Sequence, residues 1–152
     1  MPGPDGLPPG RYDSRYFDSR DVPEAYEAAG QDGDHGFTSP HARLAWFRSR
    51  RPMPDDARLH TQPIAYLSDY GATRGIRQPH AAHPRMEDRM SVSLSHTLWI
   101  GGAARADDWL LSEFHPVATG TGRGLTIGTI RTRDGRIVAS MAQEATLRLP
   151  DH

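Results

Sequence analysis

"GLTIGTIRTRDGRIVASMAQEATLRL", residues 124–149, holds two runs of alternating apolar and polar residues on either side of Asp134-Gly135. Alternation of this kind marks half-buried strands, and Asp-Gly between two such runs is a hairpin signal, because both positions tolerate positive φ. A two-residue loop there pairs Arg133 with Arg136, Ile130 with Ala139 and Thr126 with Gln143. Ile137, Ala139, Met141, Gln143, Ala145 and Leu147 then share one face of the last strand. A carboxamide on that apolar face needs partners, since burying it unpaired costs about 1–3 kcal/mol. Thr126, directly opposite, is the nearest one offered by the sequence. Glu144 points the other way, towards solvent.

Working back along the chain, "WLLSEFHPVATG" (109–120) and "SVSLSHTLWI" (91–100) read as two further strands. "GTGRG" (120–124) is glycine-rich but joins two strands and opens no helix, so it is not a dinucleotide fingerprint. In the 91–100 strand, alternation places Val92, Leu94, His96, Leu98 and Ile100 on one face. Ser91, Ser93, Ser95, Thr97 and Trp99 take the other. The neighbours Ser95 and His96 therefore cannot form a catalytic dyad with each other, and His96 reads as a hydrogen-bonded core histidine. Glu113 and His115 share a pleat face and form a candidate acid–base pair.

Upstream, "YFDSRDV" (16–22) and "ARLAWFRSR" (42–50) read as strands, with a polar connection between them. Asp55 or Asp56 is placed to cap a helix after "RPMPDD". Pro63 suggests either two short helices or one that starts near Thr61. Ile64, Leu67 and Tyr70 make its apolar stripe, which ends at Gly71. Residues 73–89 read as a connector. Within it His80 and His83 are spaced as metal ligands would be on a helix, but the flanking prolines and the lack of a third ligand argue against a site. The expected class is α+β, with about five or six antiparallel strands wrapped around one central helix. Residues 1–12, rich in Pro and Gly, read as a flexible tail, and 13–150 as one domain.

Composition narrows the chemistry. The chain has 152 residues, enough to bury roughly 70% of its unfolded surface as a single domain. A net charge of −1 gives no pull towards nucleic acid or anionic membrane. Neither a leader nor a spanning run is visible, and the expected location is the cytoplasm. Cysteine is absent and all 18 basic residues are arginine, which removes thiolate and lysine Schiff-base chemistry. No cofactor or metal is implied.

Seven stretches carry a resemblance: "AWFRSRRPMPDDARLH", "AYLSDY", "LSHTLW", "RADDWLL", "GRGL", "RTRDGRIVASMAQE" and "LR". In order and spacing, over residues 42–149, they are similar to the C-terminal hotdog domain of the acyl-CoA thioesterase II family, the double-hotdog thioesterases. The resemblance implies a single hotdog domain here, its sheet wrapped around a helix at "IAYLSDYGA". It also implies assembly as a homodimer or higher, because such proteins carry two hotdog domains. Their hydrolytic site uses an aspartate, a serine or threonine, and a glutamine to activate a water. By that resemblance the glutamine falls on Gln143, the aspartate on Ser95, and the hydroxyl residue on Pro116 or Val117. A serine cannot replace a carboxylate as base, a loss of 10²–10⁴-fold in such sites. After Trp99 the usual bulky residues give way to "IGGAA" (100–104), which would widen the space beside the site.

The sequence therefore suggests a thioesterase-like protein repurposed for an acyl or polyketide-like intermediate in small-molecule biosynthesis, by cyclisation, dehydration or isomerisation. The substrate would be carried on coenzyme A or a carrier protein. The alternatives are a thioesterase with a different water-activating group, and a non-catalytic acyl-binding protein. Candidate catalytic groups are Gln143, Ser95, His115, Glu113, His96 and Asp69. Thr126, Thr119, Gly101, Gly102, Trp99, Tyr66 and Tyr70 are candidates to line the substrate.

Overall fold

The computed structural model describes residues 3–11, 14–23, 42–82 and 90–148. Six strands form one antiparallel sheet: β1 (Phe17–Asp21), β2 (Arg43–Ser49), β3 (Ser93–Ile100), β4 (Leu110–Gly120), β5 (Arg123–Thr132) and β6 (Ile137–Thr146). Their spatial order is β1-β2-β4-β5-β6-β3, so among the described residues β3 is an edge strand, bonded to β6. Between β2 and β3 run helix α1 (Ala57–Asp69) and the shorter α2 (Ala72–Arg77). The expected α+β architecture is the one observed.

α1 begins where Asp56 accepts a hydrogen bond from the Arg58 amide at 2.9 Å, the capping role its position suggested. The helix then runs through Pro63 without a break. This corrects the expectation of two helices or a start near Thr61. Pro63 leaves the Leu59 carbonyl without its usual helical donor, and tertiary packing overrides that loss. The buried stripe is His60, Ile64, Leu67 and Ser68, at the i, i+4, i+7, i+8 spacing of one helix face. Ile64 and Leu67 pack with Ala45, Phe47, Leu110, Ile130, Val138 and Ala139 from the sheet. Burial of each contributes about 1.5–3 kcal/mol.

The segment read as a connector contains α2 and a 3-10 turn, Gln78–His80. Gly71, at φ 107°, breaks the chain between the helices in a conformation other side chains resist. α2 lies close on β4 and β5. A methyl group on Gly124 would come within 2.1 Å of Ile76, and one on Gly128 within 2.7 Å of the Glu113 carbonyl.

The sequence register holds through the body of the β5–β6 hairpin, where Thr126 faces Gln143 and Ile130 faces Ala139. It fails at the tip, since Arg131 pairs with Ile137. The Gly135 amide bonds the Thr132 carbonyl, and Gly135 alone takes positive φ. A longer turn with a bulge therefore replaces the two-residue loop. On the outer face Leu44, Trp46, Leu111 and Val22 form a second cluster, onto which Leu7 and Trp109 pack. The Pro/Gly-rich start of the chain lies against this face, with the Gly10 amide bonded to the Ser19 carbonyl at 2.8 Å.

Candidate functional site

Gln143 is fully buried on the inner face of β6, as alternation predicts. Its partners are not those the sequence offered. Thr126, also buried, donates instead to the His115 carbonyl at 2.9 Å. Gln143 Oε1 lies 2.6 Å from His96 Nδ1, and Gln143 Nε2 donates to Ser93 Oγ at 2.8 Å. Both partners sit on the edge strand β3, and both are exposed.

Ser93 reaches this face because β3 is bulged. Ser93 pairs with Ala145 and Ser95 with Glu144, so Leu94 is an extra residue. The bulge reverses the alternation upstream of it. Ser93 joins His96 on the inner side, while Val92 and Leu94 are exposed and do not share the His96 face. This corrects the face assignment drawn from strict alternation. Ser95 remains opposite His96 across the pleat, beside Glu144, which is ion-paired with Arg123 at 3.1 Å. Ser95 is therefore not brought to Gln143. A second bulge, between Pro116 and Ala118, lies two strands away at the level of the Thr126–Gln143 pair and leaves Val117 exposed.

The proton directions in the cluster follow from what each atom can do. A carboxamide oxygen only accepts, so His96 Nδ1 carries the proton between them. His96 Nε2 lies 2.8 Å from Ser68 Oγ, whose hydroxyl is also 2.7 Å from the Ala65 carbonyl. His96 is thus hydrogen-bonded as expected, though at an exposed edge and not in the core. The Gln143 amide donates to Ser93, so the Ser93 proton is free to point elsewhere. It faces Asp69 Oδ1 at 3.5 Å. Asp69 is the last residue of α1 and is exposed. Ser68, Asp69, Ser93, His96 and Gln143 therefore form one polar chain from helix to sheet.

Glu113 and His115 do meet, at 2.9 Å, but on the opposite face of the sheet from Gln143. Burial pushes the Glu113 carboxyl up, yet the His115 hydrogen bond and charge, with Arg131 at 3.5 Å, outweigh it and hold the carboxyl below its ordinary range. They line a groove of about 600 Å³ together with Trp99, Ile127 and Met141. Gly101 and Gly102 bond the Val138 carbonyl, five residues along β6 from Gln143. That separation is about 17 Å at antiparallel strand spacing. They do not widen space beside Gln143, because the chain leaves the sheet there. The neighbouring Ala103 and Ala104 line a charged recess of about 750 Å³ with His60, Arg105 and Asp107.

Thr119 bonds His80 at 2.8 Å, and His83 lies outside the described residues. Among the described residues no three His, Asp or Glu side chains are grouped to hold a metal. Tyr66 is exposed and stacks on Phe17 at 5.4 Å, and it tilts against Tyr70 at the same separation. Ser68 and Ser93 were missed as site residues. Ser68 had a readable signal, a hydroxyl on the apolar stripe of α1. Ser93 had none, since a bulge leaves no mark on residue type.

Comparison with known proteins identifies the family to which this fold belongs. The family model for the acyl-CoA thioesterase C-terminal domain matches residues 1–147. Acyl-coenzyme A thioesterase 8 of Mus musculus is 32% identical over 108 residues, 70% of this chain and 33% of its own length. The acyl-CoA thioesterase II TesB2 structure from Mycobacterium marinum superposes with a TM-score of 0.82 at 35% identity, covering 99% of this chain and 55% of that one. The putative thioesterase of Novosphingobium aromaticivorans, at 21% identity and a TM-score of 0.67, shares the fold. The chain spans about a third of the mouse relative and about half of the Mycobacterium marinum structure. With its six-stranded hotdog sheet and the matching family model, the chain belongs to the acyl-CoA thioesterase C-terminal domain family.

Proposed function

We propose that this domain hydrolyses acyl thioesters, of the acyl-CoA class, at the polar cluster above Gln143. The observation that supports it most directly is the buried Gln143 amide, tied to His96 and Ser93 in a member of a thioesterase family. Gln143 has no exposed surface, so it acts by fixing the two β3 side chains that face the substrate. Tyr66, one helical turn before Asp69, and Tyr70 supply an aromatic surface for the acyl chain beside the polar group. Repurposing for a bulkier intermediate would need the widened space that Gly101 and Gly102 were expected to give. Hydrolysis needs no such space.

The site lies at a sheet edge where Val92, Leu94, Trp99 and Ile100 are exposed. An edge of that kind calls for a covering strand. We take a second hotdog domain, in a second copy of this chain, to supply it along β3. Sedimentation at micromolar concentration should return twice the monomer mass, and a monomer would remove that partner. For the activity, free-thiol release is measured over a panel of acyl-CoA esters with wild type and Gln143→Ala. We expect turnover in the wild type and a fall of at least about 10²-fold in the variant. Thiol release indifferent to Gln143→Ala would overturn the assignment of the site.

A further inference from the structure

We infer that Asp69, at the C-terminal end of α1, is the general base of this site, and that Ser93 holds the water it activates. The inference rests on the hydrolytic reading above and adds the group that takes the proton.

Three observations lead to it. Ser93 Oγ accepts from Gln143 Nε2 at 2.8 Å, which leaves its own proton for an acceptor on the other side. The acceptor it meets is Asp69 Oδ1, and at 3.5 Å the direct bond is weak. Two exposed oxygens at that separation both reach one water at about 2.8 Å. Elimination supports the same choice. Both ring nitrogens of His96 face protein atoms, Nδ1 Gln143 at 2.6 Å and Nε2 Ser68 at 2.8 Å, so neither is presented to a water. Ser95 and the Glu113–His115 pair lie on the other face of the sheet. Among the described residues of the cluster, Asp69 is the carboxylate that remains.

The step balances with these groups alone. The water oxygen attacks the thioester carbonyl carbon as one of its protons passes to the Asp69 carboxylate. The tetrahedral intermediate collapses with cleavage of the C–S bond, and the departing thiolate takes the proton back from Asp69. A carboxylic acid and a free thiol leave, and the carboxylate is restored. Ser93 touches the water itself, whereas Gln143 and, through it, His96 are positioning residues in this scheme.

The test uses the full chain and the acyl-CoA ester that the wild type turns over fastest, with Asp69→Asn, Asp69→Ala and Ser93→Ala. Asp69 is exposed at a helix end, so all three should melt close to the wild type. We expect kcat to fall 10²–10⁴-fold in both Asp69 variants. Ser93→Ala should lose about tenfold or more. Added formate should restore part of the rate in Asp69→Ala and none in Gln143→Ala, a rescue that a structural role would not produce. Asp69→Asn within tenfold of wild type, while Gln143→Ala is impaired, would sink the base assignment and leave hydrolysis standing. A wild type that releases no thiol from any ester would remove both.

Discussion

Gly128, on β5, sits where β4 and β6 crowd it from both sides, and adding one methyl group there tests the described spacing directly. A Cβ at Gly128 would lie 2.7 Å from the Glu113 carbonyl oxygen, 2.8 Å from Phe114 Cδ1 and 2.9 Å from Met141 Sδ. Ordinary contact begins near 3.4 Å, so the neighbours must yield by about half an ångström or more. Phe114 and Met141 can turn, but the Glu113 carbonyl belongs to the β4 backbone and moves only with its strand. Overpacking of this kind costs about 1–3 kcal/mol. At about 2–4 °C per kcal/mol for a chain of this size, Gly128→Ala should lower Tm by about 2–12 °C. Gly101→Ala is the matched control, because a methyl group there meets nothing within 4 Å. Differential scanning calorimetry on the two variants gives the comparison. Equal melting temperatures would mean that β4, β5 and β6 are not packed as described.

Other expectations follow from single contacts. Pro63→Ala lets residue 63 donate to the Leu59 carbonyl inside α1, a gain of about 2 kcal/mol after the looser unfolded chain is allowed for. Its Tm should rise, and a fall would argue that α1 does not run through this position. Glu113 has a carboxyl held below its ordinary range, so its contribution is present above the unfolded value and is lost as pH falls through the folded one. Glu113→Gln should therefore flatten the loss of stability between neutral and acid pH in urea melts, and an unchanged slope would count against the pair with His115. Ser68→Ala removes the hydroxyl beside His96 Nε2. We expect about tenfold lower kcat with KM little changed, and a kcat equal to wild type would show that His96 orientation does not depend on Ser68.

Much of this fold is legible in the sequence, where side-chain periodicity alone decides it. The pairing of Thr126 with Gln143 follows from alternation on either side of Asp134-Gly135, and the structure keeps it. The hairpin tip departs because only Gly135 needs positive φ, leaving Asp134 in an ordinary turn conformation. α2 is hidden by its shortness, with Gly75 inside it and Pro79 just beyond. Its close packing depends on Gly124, in a strand distant in the chain. At the candidate site, Gln143 is readable as a carboxamide on an apolar face. Its partners are not, because they depend on where the end of α1 meets an edge strand. Alternation separates His96 from Ser95, but nothing local pairs it with Ser68 across the helix–sheet boundary.

The extra residue at Leu94 divides β3 into two stretches held by different constraints. From Ser95 onward each side chain is set by the pleat of β6, and substitutions there trade one facing residue for another. Upstream, Ser93 is held by a count: one residue fewer between Met90 and Ser93 would close the bulge and turn its hydroxyl to the outer face, while the pairs from Ser95 onward stayed in place. The chain between the Met90–Arg148 bridge and Ser93 is therefore fixed in length more strictly than in composition. Insertions and deletions, not replacements, are the changes this corner of the molecule cannot absorb.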